Sequence, residues 1–213
     1  MTQEGSAAAA RRPRYPGEGE PGRRLFIAVP FPDEAMAPVV ALVDAVRALG
    51  VPGGGRDVRW VRLDGLHLTI RFIGPTLPDR VAAAEDAVRD AARSIVPFDV
   101  GITGAGAFPT PQRPRALWLG VDEGVAGMEA AARAVDAALV ERGWAADGRP
   151  FRPHLTLARS DGVPAGGAIA TRLMERADEL RVRFRVERVG LFESLTGGGP
   201  ARYEPLVLVD LDG

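Results

Sequence analysis

His67 and His154 are the only histidines in a chain of 213 residues, and each opens the same pattern: His67-Leu68-Thr69-Ile70 and His154-Leu155-Thr156-Leu157. With Leu and Thr as abundant as they are here, chance gives both histidines a following Leu-Thr with odds of about one in 10⁵. An imidazole and a hydroxyl two positions apart share one face of a β-strand, because side chains alternate with period two. Leu68 and Ile70, like Leu155 and Leu157, share the opposite face. Two such strands brought together present two imidazoles and two hydroxyls to one cleft. That set suits general acid–base cleavage of a phosphodiester. A neutral imidazole takes a proton from attacking water and a protonated one gives a proton to the leaving oxygen, while the hydroxyls donate to the non-bridging phosphate oxygens. A lone histidine in an apolar strand is usually a satisfied core residue, but a core role does not call for Thr two positions later, twice.

Other chemistries lack their residues. The chain has no cysteine, hence no disulfide, thiolate metal site or cysteine nucleophile. Two histidines without a carboxylate cluster fall short of a metal ligand set, and no Gly-x-Ser-x-Gly elbow supports serine hydrolysis. The expectation is a site with no metal and no cofactor. All 27 basic residues are arginine, so anion recognition falls to guanidinium, backbone N–H and hydroxyl groups. Arg71 shares the His67 face by strict alternation, and Arg159 follows the second motif, where the strand can bend into the cleft. Both are candidate phosphate ligands. Phe151, Trp60, Phe108 and Tyr203 are candidates for stacking on a base. A net charge of −1 provides no global positive field for nucleic acid, so any RNA binds through a local patch.

Around these residues the chain alternates between strand and helix patterns. Met1 to about Gly22 has almost no large apolar residue and reads as a disordered tail, whose Arg11, Arg12 and Arg14 could touch phosphates. Leu25 to Val29 reads as a buried strand. Asp33 is placed to cap a helix from Glu34 to Leu49, with Val39, Leu42, Val43 and Val46 on one face. After a loop at Pro52–Gly55 come strands at Val58–Leu63 and Leu66–Gly74, then a helix over Pro78–Ile95. Strands at Phe98–Phe108 and Ala116–Val121 flank a Pro-rich turn. A helix over Val125–Arg142 ends at Gly143, and a strand over Phe151–Arg159 carries the second motif. A helix near Ala168–Leu180 follows, then strands at Phe184–Glu193 and Tyr203–Leu211 around a Gly197–Gly199 loop. This is an α+β chain, and the 87 residues between the histidines suggest two lobes related by a pseudo-twofold axis. No apolar run is long enough to span a membrane and no secretory core is evident, so a cytoplasmic monomer is expected.

The motifs resemble those of the two-histidine (2H) phosphoesterase superfamily, and within it the RNA 2′,3′-cyclic phosphodiesterases historically named 2′-5′ RNA ligases (LigT-like). The similarity runs from Arg24-Leu25-Phe26-Ile27-Ala28 through His67–Gly74 and Phe151–Arg159 to Leu191-Phe192-Glu193-Ser194 and Tyr203, spanning about Arg23 to Leu211. It implies a bilobal α+β fold, two pseudo-symmetric lobes of antiparallel sheet with helices outside and a central cleft, as one domain over 23–213. It implies hydrolysis of a terminal 2′,3′-cyclic phosphate of RNA to a 2′-phosphomonoester, with His67 as proton donor, His154 as proton acceptor, and Thr69 and Thr156 on the phosphate. The residues by themselves leave the two histidine roles open, because the halves are nearly symmetric. Alternatives are another small cyclic nucleotide, a 2′-5′ linkage or 2′-5′ RNA ligation, and a non-catalytic module binding nucleotides or RNA ends. The lack of lysine departs from expectation and leaves backbone contacts to arginine.

Overall fold

A computed structural model of the chain describes residues 22–50, 58–160, 164–197 and 199–213. The expected tail up to Pro21, the Pro52–Gly55 loop and Gly198 lie outside the described residues. The elements in order are β1 (Arg23–Pro30), α1 (Met36–Ala48), β2 (Val58–Trp60), β3 (His67–Thr76), α2 (Pro78–Ala92), β4 (Phe98–Phe108), β5 (Ala116–Glu123), α3 (Val125–Glu141), β6 (His154–Ser160), α4 (Pro164–Ala177), β7 (Val182–Val186), β8 (Arg188–Leu195) and β9 (Arg202–Asp210). The α+β expectation holds.

Among the described residues nine strands form one sheet in the order β7-β4-β5-β6-β3-β1-β8-β9, with β2 paired to β6, and every pairing is antiparallel. The two motif strands are the central pair. Outward from β3 lie β1, β8 and β9; outward from β6 lie β5, β4 and β7. The two expected lobes are therefore halves of a single continuous sheet. They meet where Leu68 on β3 pairs with Leu155 on β6.

All four helices pack against one hydrophobic core on one face of that sheet. In α1 the buried residues are Val39, Leu42, Val43 and Val46, the 3.6-residue stripe that the sequence carries. Asp33 makes no capping hydrogen bond; Pro32 precedes a 3₁₀ turn, Asp33–Ala35, which leads into the helix. Pro78, whose fixed φ suits a first turn, opens α2. At the end of α3, Gly143 adopts φ +86° and the N–H groups of Gly143 and Trp144 donate to the carbonyls of Val140 and Leu139, the Schellman pattern.

The expected single strand Phe184–Glu193 is two strands at opposite ends of the sheet. β7 pairs with β4, while β8 pairs with β1 and β9. The reason is a phase slip. Val182, Phe184 and Val186 join the helix-side core at period two, but the next residues in that core are Val189 and Leu191, one step out of register, while Phe192 packs with Phe26 on the other face. A single strand cannot bury both sets on one face.

Candidate active site

The face of the sheet opposite the helices carries the motif residues. On β3, His67 and Thr69 are half-buried and face it while Leu68 and Ile70 are buried; on β6, His154 and Thr156 do the same against Leu155 and Leu157. An antiparallel register centred on the Leu68–Leu155 pair sets His67 opposite Thr156 and His154 opposite Thr69. The two histidines then lie on the diagonal of that rectangle, with backbones about 7–8 Å apart.

Both rings are held in the same way. The Nδ1 of His67 lies 2.8 Å from the carbonyl oxygen of Gly65, and that of His154 lies 2.7 Å from the carbonyl oxygen of Arg152. A carbonyl only accepts, so each Nδ1 carries the proton, and Nε2 is the atom left for chemistry. Aromatic rings back both imidazoles. Phe26 lies 4.8 Å from His67 between ring centroids, Tyr203 meets it edge-on at 4.8 Å, and Phe192 stacks at 6.4 Å. Phe108 meets His154 edge-on at 5.1 Å and Trp118 lies 6.1 Å away. Trp118 fits because Gly106 stands opposite it; a Cβ there would come within 2.3 Å of the indole. This packing strips water from the rings. Desolvation pulls the His67 imidazole down to about 4, opposed by the Gly65 carbonyl, and it lowers His154 from its ordinary value as well. The positive charge of Arg159 lowers both, so Arg159 is within electrostatic reach of both rings, and each imidazole favours its neutral form.

Strict alternation fails just after each Thr, and the failure decides which arginine joins the site. Along β1, Ala28 pairs with Thr69 but Ile27 pairs with Arg71, so Ile70 is an extra residue, a β-bulge. Cross-strand partners share a face. Arg71 therefore points to the helix side with buried Ile27, and the expectation that it shares the His67 face is overturned. Its Nη1 pairs with Asp136 at 3.1 Å and Asp147 at 3.0 Å, and its Nη2 donates to the Ala145 carbonyl at 2.5 Å. It ties β3 to α3 and the loop beyond. The same bulge recurs on β6. Leu117 pairs with Ala158 but Trp118 with Thr156, so Leu157 is the extra residue. Ala158 turns to the core with Leu117, and Arg159 comes round to the histidine face. There it stands between Ala116 of β5 and Arg59 of β2.

Of the other expected ligands, Tyr203 packs on His67 and Phe108 on His154. Phe151 and Trp60 pack instead against the helix-side core, which removes them from the imidazole wall. Phe26, Phe192 and Trp118 are further site residues that the motifs do not single out. Phe26 lies in an apolar run that reads as uniformly buried, although its place in the run, one off Leu25 and Ile27, already puts it on the other face. A cavity of about 210 Å³, not lined by His67 itself, lies between Gly65 and Tyr203, edged by the pairs Arg62–Asp64 and Arg202–Glu204. Among the described residues no three His, Cys, Asp or Glu side chains come together as a metal site would need.

A family model described as the 2′-5′ RNA ligase superfamily matches residues 31–198. The chain is 31% identical over 180 residues to the RNA 2′,3′-cyclic phosphodiesterase of Methanothermobacter thermautotrophicus, covering 83% of this chain and 93% of that protein. It is 33% identical over 160 residues to the protein of the same name from Aeropyrum pernix, covering 75% and 87%. Among solved structures, a Thermus thermophilus protein superposes with TM-score 0.67 at 26% identity, over 89% of this chain and 98% of that one. E. coli LigT complexed with 3′-AMP shares the fold with TM-score 0.67 at 24% identity, over 90% and 99%. By its paired His-x-Thr strands and by these similarities, the chain belongs to the 2′-5′ RNA ligase superfamily.

Proposed function

We propose that this protein hydrolyses the 2′,3′-cyclic phosphate at an RNA end to a 2′-phosphomonoester, without metal. The observation that carries the reading is the pair of equivalent imidazoles, each with Nδ1–H tied to a carbonyl and Nε2 left for substrate, set diagonally across one cross-strand pair. The names of the relatives in two archaea support the same substrate. In the proposed reaction a water oxygen attacks phosphorus as the bond to the 3′ oxygen breaks. His154 Nε2 takes the water proton and His67 Nε2 gives a proton to the 3′ oxygen, leaving a 3′-hydroxyl and a 2′-phosphate. Thr69 and Thr156 donate to the non-bridging oxygens, and Arg159 offsets their charge. Burial disfavours the protonated form of His67, and the negative charge of the diester favours it.

The test is incubation with 2′,3′-cyclic AMP in EDTA, following adenosine 2′-phosphate. Wild type should turn over, and His67→Ala and His154→Ala should each fall at least about 10²-fold, the lower bound for one proton transfer. No turnover by wild type, or near-normal turnover by either variant, sinks the reading.

A further inference from the structure

The bulge that turns Arg71 away brings Phe72 round in its place. Phe72 pairs across β1 with Phe26, and Phe26 belongs to the aromatic group on the histidine face, so Phe72 faces the site as well. It is 50% exposed, and among the described residues it is the only aromatic side chain so open. One side of its ring leans on Phe26, at 6.1 Å and 42° between planes, and Phe26 in turn lies 4.8 Å from His67. A large apolar ring left in water beside a polar site has an unfavourable environment unless something covers it. The opposite half of the site shows that the position matters. Five residues after the motif histidine stands Phe72 in one half and Arg159 in the other, and equivalent bulges bring both to the same face. The pseudo-symmetric pair of imidazoles thus sits between an aromatic surface and a cation.

We propose that Phe72 is the stacking platform for the base of the nucleotide that carries the cyclic phosphate, so that the base lies toward Phe72 and away from Arg159. This rests on the proposed phosphodiesterase reading. Every base offers a π-face, so the platform recognises a nucleotide without demanding one sequence, and a purine covers more of the ring than a pyrimidine.

The experiment compares wild type, Phe72→Ala and Phe72→Trp on 2′,3′-cyclic AMP and 2′,3′-cyclic CMP, with circular dichroism to confirm folding. Loss of one stacked base should raise KM for the adenine substrate about 5- to 150-fold in Phe72→Ala, with a smaller rise for cytosine and kcat little changed. Phe72→Trp should restore KM. The proposal is overturned if Phe72→Ala leaves both KM values unchanged, or if both variants lose kcat equally on both substrates, as a purely structural role predicts. A binding arm separates this from failure of the phosphodiesterase reading. Calorimetry with adenosine 2′-phosphate and ribose 2-phosphate should show the nucleotide's advantage over the sugar phosphate in wild type and its collapse in Phe72→Ala. If wild type does not turn over but this collapse is seen, the activity fails and the platform stands; equal loss for both ligands, or none, removes the platform.

Discussion

The tether between Nδ1–H and the carbonyl two residues upstream does two things at once. It chooses the tautomer, and it holds each ring edge-on to its aromatic wall, where desolvation acts. The consequence is a titration below the ordinary histidine range, and it is testable in stability as well as activity. His67 has a folded value of about 4 against an ordinary 6.5, so the unfolded chain binds more protons than the folded one between those values. Stability from this group is fully present above pH 6.5 and is lost as pH falls toward 4. Urea midpoints at pH 7 and pH 4.5 should therefore fall less in His67→Gln than in wild type; an equal fall in both would refute the burial of this ring. Activity reports the same property. kcat/KM follows the free protein's singly protonated pair, whichever ring carries the proton. With both imidazoles lowered, its maximum should lie below pH 6.5 on 2′,3′-cyclic AMP. A maximum at pH 8 is incompatible with that lowering.

At the scale of elements, two one-residue bulges control which side chains reach the substrate. Ile70 uses up a position without a partner on β1, and Leu157 one without a partner on β5, and everything after them changes face until the strand is reset. The two arginines downstream of the motifs consequently have opposite fates, and substitution should separate them. Arg71→Leu leaves half-buried Asp136 without its guanidinium and Asp147 with that of Arg149 alone; it should cost about 1–3 kcal/mol of stability in urea unfolding while kcat/KM changes little. Arg159→Leu should lower kcat/KM by about tenfold or more, the scale of a lost charge-assisted hydrogen bond to phosphate. Reversal of that pattern would return Arg71 to the substrate face.

For the whole molecule, the decisive feature is that the two halves share one sheet and one core. The sequence repeat suggests lobes, but the Leu68–Leu155 pair and the strand β2 on β6 make a continuous seam between them. Leu68 and Leu155 are both fully buried at that seam. Unfolding should be a single transition, with tryptophan fluorescence and far-UV circular dichroism superimposed, and Leu155→Ala should lower stability by about 2–5 kcal/mol without splitting it. Two separated transitions would mean independent lobes.

Local periodicity is legible in the residues alone, and it carried a good part of the fold. The His-x-Thr spacing put an imidazole and a hydroxyl on one strand face; the stripe Val39, Leu42, Val43 and Val46 fixed the buried side of α1; and Gly143 ended α3. Strand order, the split between Val186 and Arg188 into opposite ends of the sheet, and the faces of Arg71, Phe72 and Arg159 were settled by tertiary pairing. Parity explains the division. Alternation along a strand is a property of that strand, but a bulge exists only relative to a partner, and one unpaired residue reverses every face beyond it.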